Sequence, residues 1–269
     1  METPQQNPSD GGRDADALLV ENHGPVRVLT MNRPERHNAL NHPLTRALLA
    51  ALNAAQHDSE CRAIVLTGAG RSFCAGADTG EFAALSGDET AFARERAELT
   101  CALHRAFTQV RKPIVSAVRG FALGGGAGLA LACDLMVVAD DMRFGYPELR
   151  HGIVAAIVMA NLVRQVGQKV AFRLVATGQT LDGAGALGLG IATASVPAAE
   201  VLPNALQLAE ALAAHRPEAM ATTKSLLYRV SELSLEQGLL AGRDTNILMR
   251  GFSRGRAASG AAQSATENA

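Results

Sequence analysis

The stretch GFALGGGAGLALACD, residues 120–134, decides the fold of this 269-residue chain. Its three consecutive glycines, Gly124–Gly126, come directly before the apolar run Leu129–Ala132. Glycine in a helix or strand costs about 0.5–1 kcal/mol relative to alanine, so a cluster of it marks a special backbone geometry or a close approach to the main chain. The residues alone leave two interpretations open: a ligand reaches the backbone here, or the glycines let a helix pack tightly against a sheet.

The chain on either side alternates between strand-like and helix-like segments. Short, nearly continuous apolar runs, typical of strands buried on both faces, cover residues 63–66, 114–118 and 135–138. Apolar residues at helical spacing follow Pro43 and recur from Ala91 to Val110. This alternation predicts an α/β fold with right-handed crossovers.

The last quarter of the chain shows only helical patterns, over residues 199–214, 217–232 and 235–249. A helical module appended to an α/β core often serves assembly. Both ends are polar and rich in small residues, which predicts disorder. The expected organisation is a disordered tail (1–14), an α/β core (15–197), a helical assembly region (198–253) and a second disordered tail (254–269).

Composition narrows the class of partner. The net charge of −1, the absence of tryptophan and the presence of only two tyrosines argue against nucleic acid. The uncharged run between Arg119 and Asp134 is shorter than the ~20 residues of a membrane helix, so no membrane span is predicted. Four widely spaced cysteines without a C-x-x-C pair predict reduced thiols in the cytoplasm and no metal site. A small molecule is therefore the expected partner.

Three common glycine-containing motifs do not fit the sequence. Glycines at 124, 126 and 128 do not have the spacing of the dinucleotide fingerprint G-x-G-x-x-G, and no G-K-[ST] follows as in a P-loop. The segment around Ser72 lacks the closing glycine of the nucleophile motif G-x-S-x-G. What remains is a pair of glycine-bearing turns, residues 67–78 and 120–126, each placed after a buried strand. Backbone N–H groups from two such turns, converging on one oxygen, would form an oxyanion hole.

Four segments together carry a family resemblance. In chain order they are residues 31–41 (MNRPERHNALN), 72–78 (SFCAGAD), 120–134 and 144–148 (FGYPE). Their order and spacing resemble the enoyl-CoA hydratase/isomerase (crotonase) family over roughly residues 18–250. The match rests on four ordered motifs and is more specific than any one of them.

The resemblance implies a crotonase-like spiral of repeated β-β-α units and a C-terminal helical trimerisation region, assembled as a homotrimer or homohexamer. It implies an acyl-CoA thioester as substrate, with coenzyme A as part of that substrate and no separate cofactor. It assigns the oxyanion hole to the backbone N–H groups of Ala77 and Gly125. The positions that it places beside coenzyme A are Arg33, Ala39, Leu40 and Ala75.

One departure from the family pattern bears on the reaction. Hydratases of the family use two glutamates; here Glu148 stands at the second position, whereas the first is occupied by Gly128. Moving a double bond from the 3 to the 2 position needs one base, so 3-enoyl-CoA to 2-enoyl-CoA isomerisation is favoured. Hydration of 2-enoyl-CoA is the alternative reaction, and a non-catalytic acyl-CoA-binding paralogue is the alternative of another class.

The surroundings of Glu148 allow further interpretations. Glu148 would be a catalytic acid–base residue or, in the simpler interpretation, a surface carboxylate paired with Arg150. Alanines and Ile157 replace the more usual proline- and glycine-rich turn of the family over residues 152–159, which predicts a tighter and more apolar acyl pocket. His151 lies three residues after Glu148 and is either part of this pocket, as a proton donor or hydrogen-bond partner, or a solvated histidine.

Overall fold

The computed structural model describes residues 17–83 and 89–266, so the predicted tail at residues 1–14 lies outside the described residues. The chain divides into two compact units, with the division between Ala214 and His215. Each unit is described below by itself.

The first unit contains a parallel sheet edged by an antiparallel hairpin. The strands are β1 (Leu18–His23), β2 (Val26–Met31), β3 (Ala63–Gly68), β4 (Ile114–Val118), β5 (Phe121–Leu123), β6 (Leu135–Ala139), β7 (Arg143–Gly145) and β8 (Ala194–Val196). Six of them form the main sheet in the order β1-β2-β3-β4-β6-β8, in which only β1 runs antiparallel to its neighbour. Strands β5 and β7 pair in parallel as a separate small sheet. The predicted α/β class and the three predicted buried strands are confirmed.

Helices connect and flank these strands. They are α1 (His42–His57), α2 (Thr79–Ala83), α3 (Glu89–Gln109), α4 (Gly125–Ala132), α5 (Met159–Thr177), α6 (Gly183–Gly188), α7 (Val201–Ala213), α8 (Pro217–Val230) and α9 (Leu235–Thr266). Short 3-10 helices cover Pro34–Arg36, Glu148–His151 and Ala198–Glu200. The left-handed backbone of Gly167 (φ 73°) separates α5 into two helical parts.

The start of α1 illustrates how sequence determines these helices. The side chain of Asn41 accepts a hydrogen bond from the Leu44 N–H at 3.0 Å, and Pro43 occupies the first turn, where its missing N–H costs nothing. Leu44, Leu48 and Leu52 then recur at helical spacing and are fully buried in the core. Every residue of β3 and β4 is also buried, as expected for central parallel strands.

The first unit ends later than the sequence predicts. Helix α7 packs against β3, β4 and β6, and Val201, Ala205, Ala209 and Ala213 are buried on one of its faces. It therefore belongs to the α/β core, whereas the sequence places the boundary after residue 197. A pattern of apolar residues shows that a helix has a buried face but does not show which element covers it.

The second unit consists of α8 and α9, which pack against each other. Helix α9 extends to Thr266, so residues 254–266 are helical where the sequence predicts a disordered tail. The physical reason is composition: this segment is rich in alanine, the residue with the highest helix propensity. Residues 267–269 lie outside the described residues.

Two further observations concern the chain as a whole. None of the helices within residues 17–83 and 89–266 is both long enough and apolar enough to cross a membrane. All four cysteines are free thiols; Cys61, Cys74 and Cys133 are buried and Cys101 is exposed.

Candidate active site

The two predicted glycine turns meet at the carboxyl ends of two central strands of the main sheet. Strands β3 and β4 are parallel neighbours, so the segments that follow Gly68 and Val118 leave the sheet at the same end, the carboxyl end of the strands. Backbone hydrogen bonds tie these segments together: the Cys74 N–H donates to the Phe121 carbonyl at 2.9 Å, and the Leu123 N–H donates to the Cys74 carbonyl at 3.0 Å. Ligands of open α/β sheets bind at such carboxyl edges.

The N–H of Ala77 points away from its neighbouring segment. Leu40 and Ala77 form a parallel bridge, in which the Leu40 N–H donates to the Gly76 carbonyl at 2.7 Å and the Asp78 N–H donates to the Leu40 carbonyl at 2.9 Å. Because the flanking groups of Gly76 and Asp78 make these bonds, the N–H of Ala77 faces the opposite side. Ala77 is exposed, so this donor is accessible.

Gly125 brings a second N–H to the same place. It is the first residue of α4, and the first N–H groups of a helix have no intrahelical acceptor. A Cβ built on Gly125 would lie 3.8 Å from the Ala77 nitrogen, and one built on Gly76 would lie 3.3 Å from the Gly125 nitrogen. The two predicted donors are therefore adjacent.

Each of the three consecutive positions 124–126 is occupied by glycine for a different physical reason. Gly124 has φ 53°, a conformation that side-chain-bearing residues rarely adopt, and a Cβ there would lie 2.9 Å from Glu148 Oε1. A Cβ on Gly126 would lie 2.1 Å from the Cys74 carbonyl oxygen, so Gly126 permits close packing. Gly125 has only ordinary contacts around it and is partly exposed. Both interpretations of the cluster thus apply, to different glycines.

The small sheet brings Glu148 to the beginning of α4. Strands β5 and β7 run in parallel with Leu123 opposite Gly145, so Gly124 and the Glu148 segment follow them at the same end. The Gly124 N–H donates to the Gly145 carbonyl at 2.8 Å, which fixes this register. The Glu148 carboxylate consequently lies directly beside the N-terminus of the helix that contains Gly125.

Glu148 does not behave as a paired surface carboxylate. Its Oε2 is buried without a hydrogen-bond partner within residues 17–83 and 89–266. The guanidinium of Arg150 instead donates to the Gly178 carbonyl at 3.0 Å. Burial raises the pKa of Glu148, while a backbone hydrogen bond and the charge of His151 partly oppose this shift. A raised pKa brings the carboxyl closer to the range in which it both accepts and donates protons.

Tyr146, two residues before Glu148, is a second buried polar group that the sequence analysis did not single out. Its ring is fully buried and packs edge-on against Phe144 at 5.7 Å between centroids. Its hydroxyl has no partner among the described residues. Burial, together with the charge of Glu148, raises its pKa, so the phenol stays protonated at neutral pH.

The position expected for a first glutamate is closed. A Cβ on Gly128 would lie 2.2 Å from Val158 Cγ1 and 3.2 Å from His104 Cε1. Val158 comes from the segment before α5 and His104 comes from α3. The space beside Gly128 is thus filled by two side chains that are distant in sequence, and no side chain larger than hydrogen fits there without movement.

His104 is itself unusual and was missed by the sequence analysis. Its relative solvent exposure is 8%, and its Nδ1 has no hydrogen-bond partner in the part of the chain that the structure describes. Burial lowers its pKa to about 4, so the imidazole is neutral at pH 7. A buried polar group left unpaired costs about 1–3 kcal/mol, which a hydrocarbon side chain of similar size in this place would avoid.

The residues predicted to lie beside coenzyme A are brought to the Ala77 turn. Arg33 forms an ion pair with Asp78 at 2.8 Å and donates to the Ala39 carbonyl. Leu40 pairs with Ala77 as described above, and Ala75 donates its N–H to the His37 carbonyl at 2.9 Å. Arg33, Ala39, Leu40 and Ala75 therefore form one continuous border of the site.

An apolar cavity of about 430 Å³ adjoins Glu148. Apart from Glu148 and Gln168, it is lined by apolar side chains of the Leu149–Ala155 segment and of α5, including Val163 and Phe172. The two predicted acyl-pocket residues do not line this cavity: His151 is exposed and Ile157 is half-buried elsewhere. They follow Glu148 in sequence, but the main contribution comes from α5, which sequence proximity does not reveal.

Comparisons with known proteins agree with this geometry. A family model described as enoyl-CoA hydratase/isomerase matches residues 21–249. A relative from Thermus thermophilus is 40% identical over 229 residues, covering 84% of this chain and 90% of that protein. The 2,3-dehydroadipyl-CoA hydratase of Escherichia coli is 36% identical over 233 residues, covering 86% and 89%. The crystal structure of an enoyl-CoA hydratase from Polaromonas sp. JS666 superimposes with a TM-score of 0.82 at 30% identity, covering 86% and 90%.

The fold and the site define an α/β enzyme of the crotonase fold. The chain belongs to the enoyl-CoA hydratase/isomerase family, as the sequence motifs indicate.

Proposed function

We propose that this enzyme moves a double bond from the 3 to the 2 position of an acyl-CoA thioester. The observation that carries the proposal is the Glu148 carboxylate beside the N-terminus of α4, together with the closed space at Gly128, where the residues described place no second carboxylate. Isomerisation needs one proton-transfer group, and this arrangement supplies one carboxylate.

The N–H groups of Ala77 and Gly125 bind the thioester oxygen in this proposal. Three observations support this role. The two N–H groups are adjacent, Ala77 and Gly125 are at least partly exposed, and there is no room for a side chain at Gly124. Removing a proton from C2 places negative charge on that oxygen, and loss of one such donor costs about 2.7–4 kcal/mol in comparable enzymes.

Glu148 carries the proton. Its carboxylate takes a proton from C2, and the electron pair of the broken C–H bond moves towards the thioester oxygen to give a dienolate. As the dienolate collapses, the carbonyl re-forms, a C2–C3 double bond is made, and the electron pair of the former C3–C4 double bond takes the proton at C4 from the same carboxyl. Atoms and charges balance without another reactant. The raised pKa of Glu148 supports this role, because the same group must accept and then release the proton.

Coenzyme A enters as part of the substrate, and no separate cofactor is proposed. Arg33, Ala39, Leu40 and Ala75 border the thioester site and are proposed to contact coenzyme A. The apolar cavity beside Glu148 is proposed to receive the acyl chain, since its lining offers hydrocarbon contacts.

Hydration of 2-enoyl-CoA is the second candidate reaction. The observation that favours it is the naming of the Escherichia coli and Polaromonas proteins as hydratases. A hydratase needs a group that activates water in addition to Glu148, and the closed space at Gly128 weighs against a second carboxylate in that place.

Assembly as a homotrimer or homohexamer and a cytoplasmic location remain predictions. Exposed apolar side chains on α8 and α9 support assembly, because large exposed apolar surfaces often mark sites of protein–protein contact. They are Leu227, Leu235, Leu239, Ile247 and Leu248.

Incubation with 3-enoyl-CoA and, separately, 2-enoyl-CoA of several chain lengths in deuterated water tests the proposal. We expect a shifted double bond with deuterium at C2 or C4, detected by mass spectrometry, and loss of this turnover in Glu148→Gln with acyl-CoA binding retained. Equal turnover in Glu148→Gln would remove the assignment of the base. Acyl-CoA binding without turnover of either substrate would instead indicate a non-catalytic paralogue.

A further inference from the structure

We infer that the cavity beside Glu148 selects the acyl chain by charge and by length: it accepts uncharged hydrocarbon chains longer than four carbons and disfavours chains that end in a carboxylate. The inference rests on the proposed function, because it places the acyl chain of the thioester in this cavity. It adds the chemical class of that chain and the side chains that select it.

The cavity begins at the proposed proton-transfer group. Glu148 and Leu149 line it directly, and the Glu148 carboxylate also lies against Gly124 at the start of α4. Isomerisation requires both C2 and C4 of the substrate to reach this carboxylate. The carbons beyond C4 therefore continue from Glu148, and the cavity is the apolar space that adjoins it.

The part of α5 that follows Gly167 forms one wall of the cavity. Gln168, Ala171, Phe172 and Val175 line it, and their spacing of three and four residues places them on one face of the helix. Ala171 and Val175 are buried, whereas Gln168 and Phe172 are exposed at the rim. The wall thus presents hydrocarbon at depth and one uncharged polar side chain at the opening.

The cavity lining offers no positive charge to a substrate carboxylate. Within the part of the chain that the structure describes, none of the cations of α5 lines the cavity; they are Arg164, Lys169 and Arg173. Arg150, close to Glu148 in sequence, donates instead to the Gly178 carbonyl at 3.0 Å. The ionisable group in the described lining is Glu148, which is itself an acid. A carboxylate at the end of the acyl chain would lose water here without gaining a partner of opposite charge, which is strongly unfavourable.

The volume of the cavity bears on chain length. A water molecule takes up about 30 Å³ in the liquid, and a methylene group is of similar size, so a cavity of about 430 Å³ holds on the order of ten such groups. A four-carbon chain has no carbon beyond C4 and leaves this space largely unfilled. Each further methylene that becomes fully buried strengthens binding by up to about fourfold.

Binding of saturated thioesters, measured by calorimetry, tests the inference without requiring turnover. The probes are butyryl-CoA, octanoyl-CoA, the CoA monothioester of octanedioic acid, and the methyl ester of that monothioester. We expect octanoyl-CoA to bind at least about 10-fold more tightly than butyryl-CoA, because four further methylenes are buried. It should also bind at least about 10-fold more tightly than the octanedioic monothioester, because the terminal carboxylate has no partner. The methyl ester removes the charge and should recover most of the affinity.

Two variants change the selection in predictable directions. Gln168→Arg places a guanidinium at the rim and should raise the affinity for the octanedioic monothioester relative to octanoyl-CoA about 10-fold, since arginine pairs well with carboxylates. Gln179→Arg is the matched control, because Gln179 is exposed and does not line the cavity, and it should leave this ratio unchanged. Val163→Phe narrows the cavity and should weaken octanoyl-CoA binding more than butyryl-CoA binding.

Other outcomes overturn the inference and the proposed function separately. Equal affinity for butyryl-CoA and octanoyl-CoA, or for octanoyl-CoA and the octanedioic monothioester, would overturn the inference even if the enzyme isomerises 3-enoyl-CoA. An altered oligomeric state of Val163→Phe in sedimentation, with unchanged octanoyl-CoA binding, would show that a second copy of the chain covers the cavity, and would also overturn it. Selective binding of octanoyl-CoA without turnover of any 3-enoyl-CoA would instead overturn the proposed isomerisation and leave the cavity assigned to the acyl chain.

Discussion

Oε1 of Glu148 lies only 2.9 Å from the place where a side chain on Gly124 would begin. The main chain of α4 and the carboxylate are therefore in direct contact, and the identity of residue 124 controls the position of residue 148. If Glu148 is the proton-transfer group, as proposed, this glycine matters for catalysis as well as for backbone conformation.

Gly124→Ala should reduce turnover at least about 100-fold, because the added methyl group displaces the general base. It should also lower the free energy of unfolding by about 1 kcal/mol or more, since φ is 53° at this residue. Steady-state kinetics and urea unfolding measure the two effects. Gly188→Ala is the control, because Gly188 lies in α6 with open space around it and should lose neither property. Native turnover in Gly124→Ala would show that Glu148 does not need its observed position.

Glu148→Gln should change the pH dependence of stability. Because the native state raises the pKa of Glu148 above its ordinary value of 4.5, this carboxyl favours folding when protonated. That contribution is present below about pH 4.5 and is lost as the pH rises through the raised pKa. The variant should therefore melt at the same temperature as the native protein in acid and up to a few degrees higher at neutral pH. Parallel melting curves at every pH would contradict a raised pKa.

His104→Phe should make the protein less sensitive to acid. The native state holds this imidazole at a pKa of about 4, whereas the unfolded chain has the ordinary value of 6.5, so the unfolded state binds more protons between these values. Native stability should consequently fall on acidification from about pH 6.5 to 4, by on the order of 3 kcal/mol more than in the variant. Urea unfolding at several pH values measures the difference, and equal slopes would indicate that His104 is solvated.

Gly128→Glu alone should destabilise the fold by about 1–3 kcal/mol, because Val158 and His104 already fill the space. The further change Val158→Ala should recover part of this loss by making room. If a carboxylate then fits beside Gly124, the double variant should gain hydration over the single variant. Val158→Ala by itself is the control for the cavity that it creates. A stable and active Gly128→Glu protein would show that the position is open.

The sequence predicts much of the fold because local patterns specify its elements. The buried runs of β3, β4 and β6 and the helical spacing after Pro43 lead directly to the α/β class. The extent of the first unit is not predictable in this way, since α7 shows a buried face in its pattern but not the strands that it covers. Small strands such as β5 and β7 are too short to give a pattern, although their pairing brings Glu148 to Gly124.

The candidate site likewise has parts that the sequence predicts and parts that it does not. The adjacency of Ala77 and Gly125 follows from motifs that stand after neighbouring parallel strands, and Glu148 follows from the fourth motif. His104 and Val158 could not be found, because they meet only at Gly128 and no periodicity links α3 to the segment before α5. The predicted acyl-pocket residues His151 and Ile157 follow Glu148 closely in sequence, whereas the cavity beside Glu148 is built largely by α5.

The two N–H groups beside Glu148 belong to the main chain, and their placement depends on the course of the backbone through Gly76 and Gly124. Substitution of the surrounding side chains leaves these donors in place. In the proposed function, the reaction can therefore change through substitutions at residues 128 and 148 while the proposed thioester-binding framework of main-chain donors stays the same. Such a framework separates the evolution of reaction type from the evolution of substrate recognition.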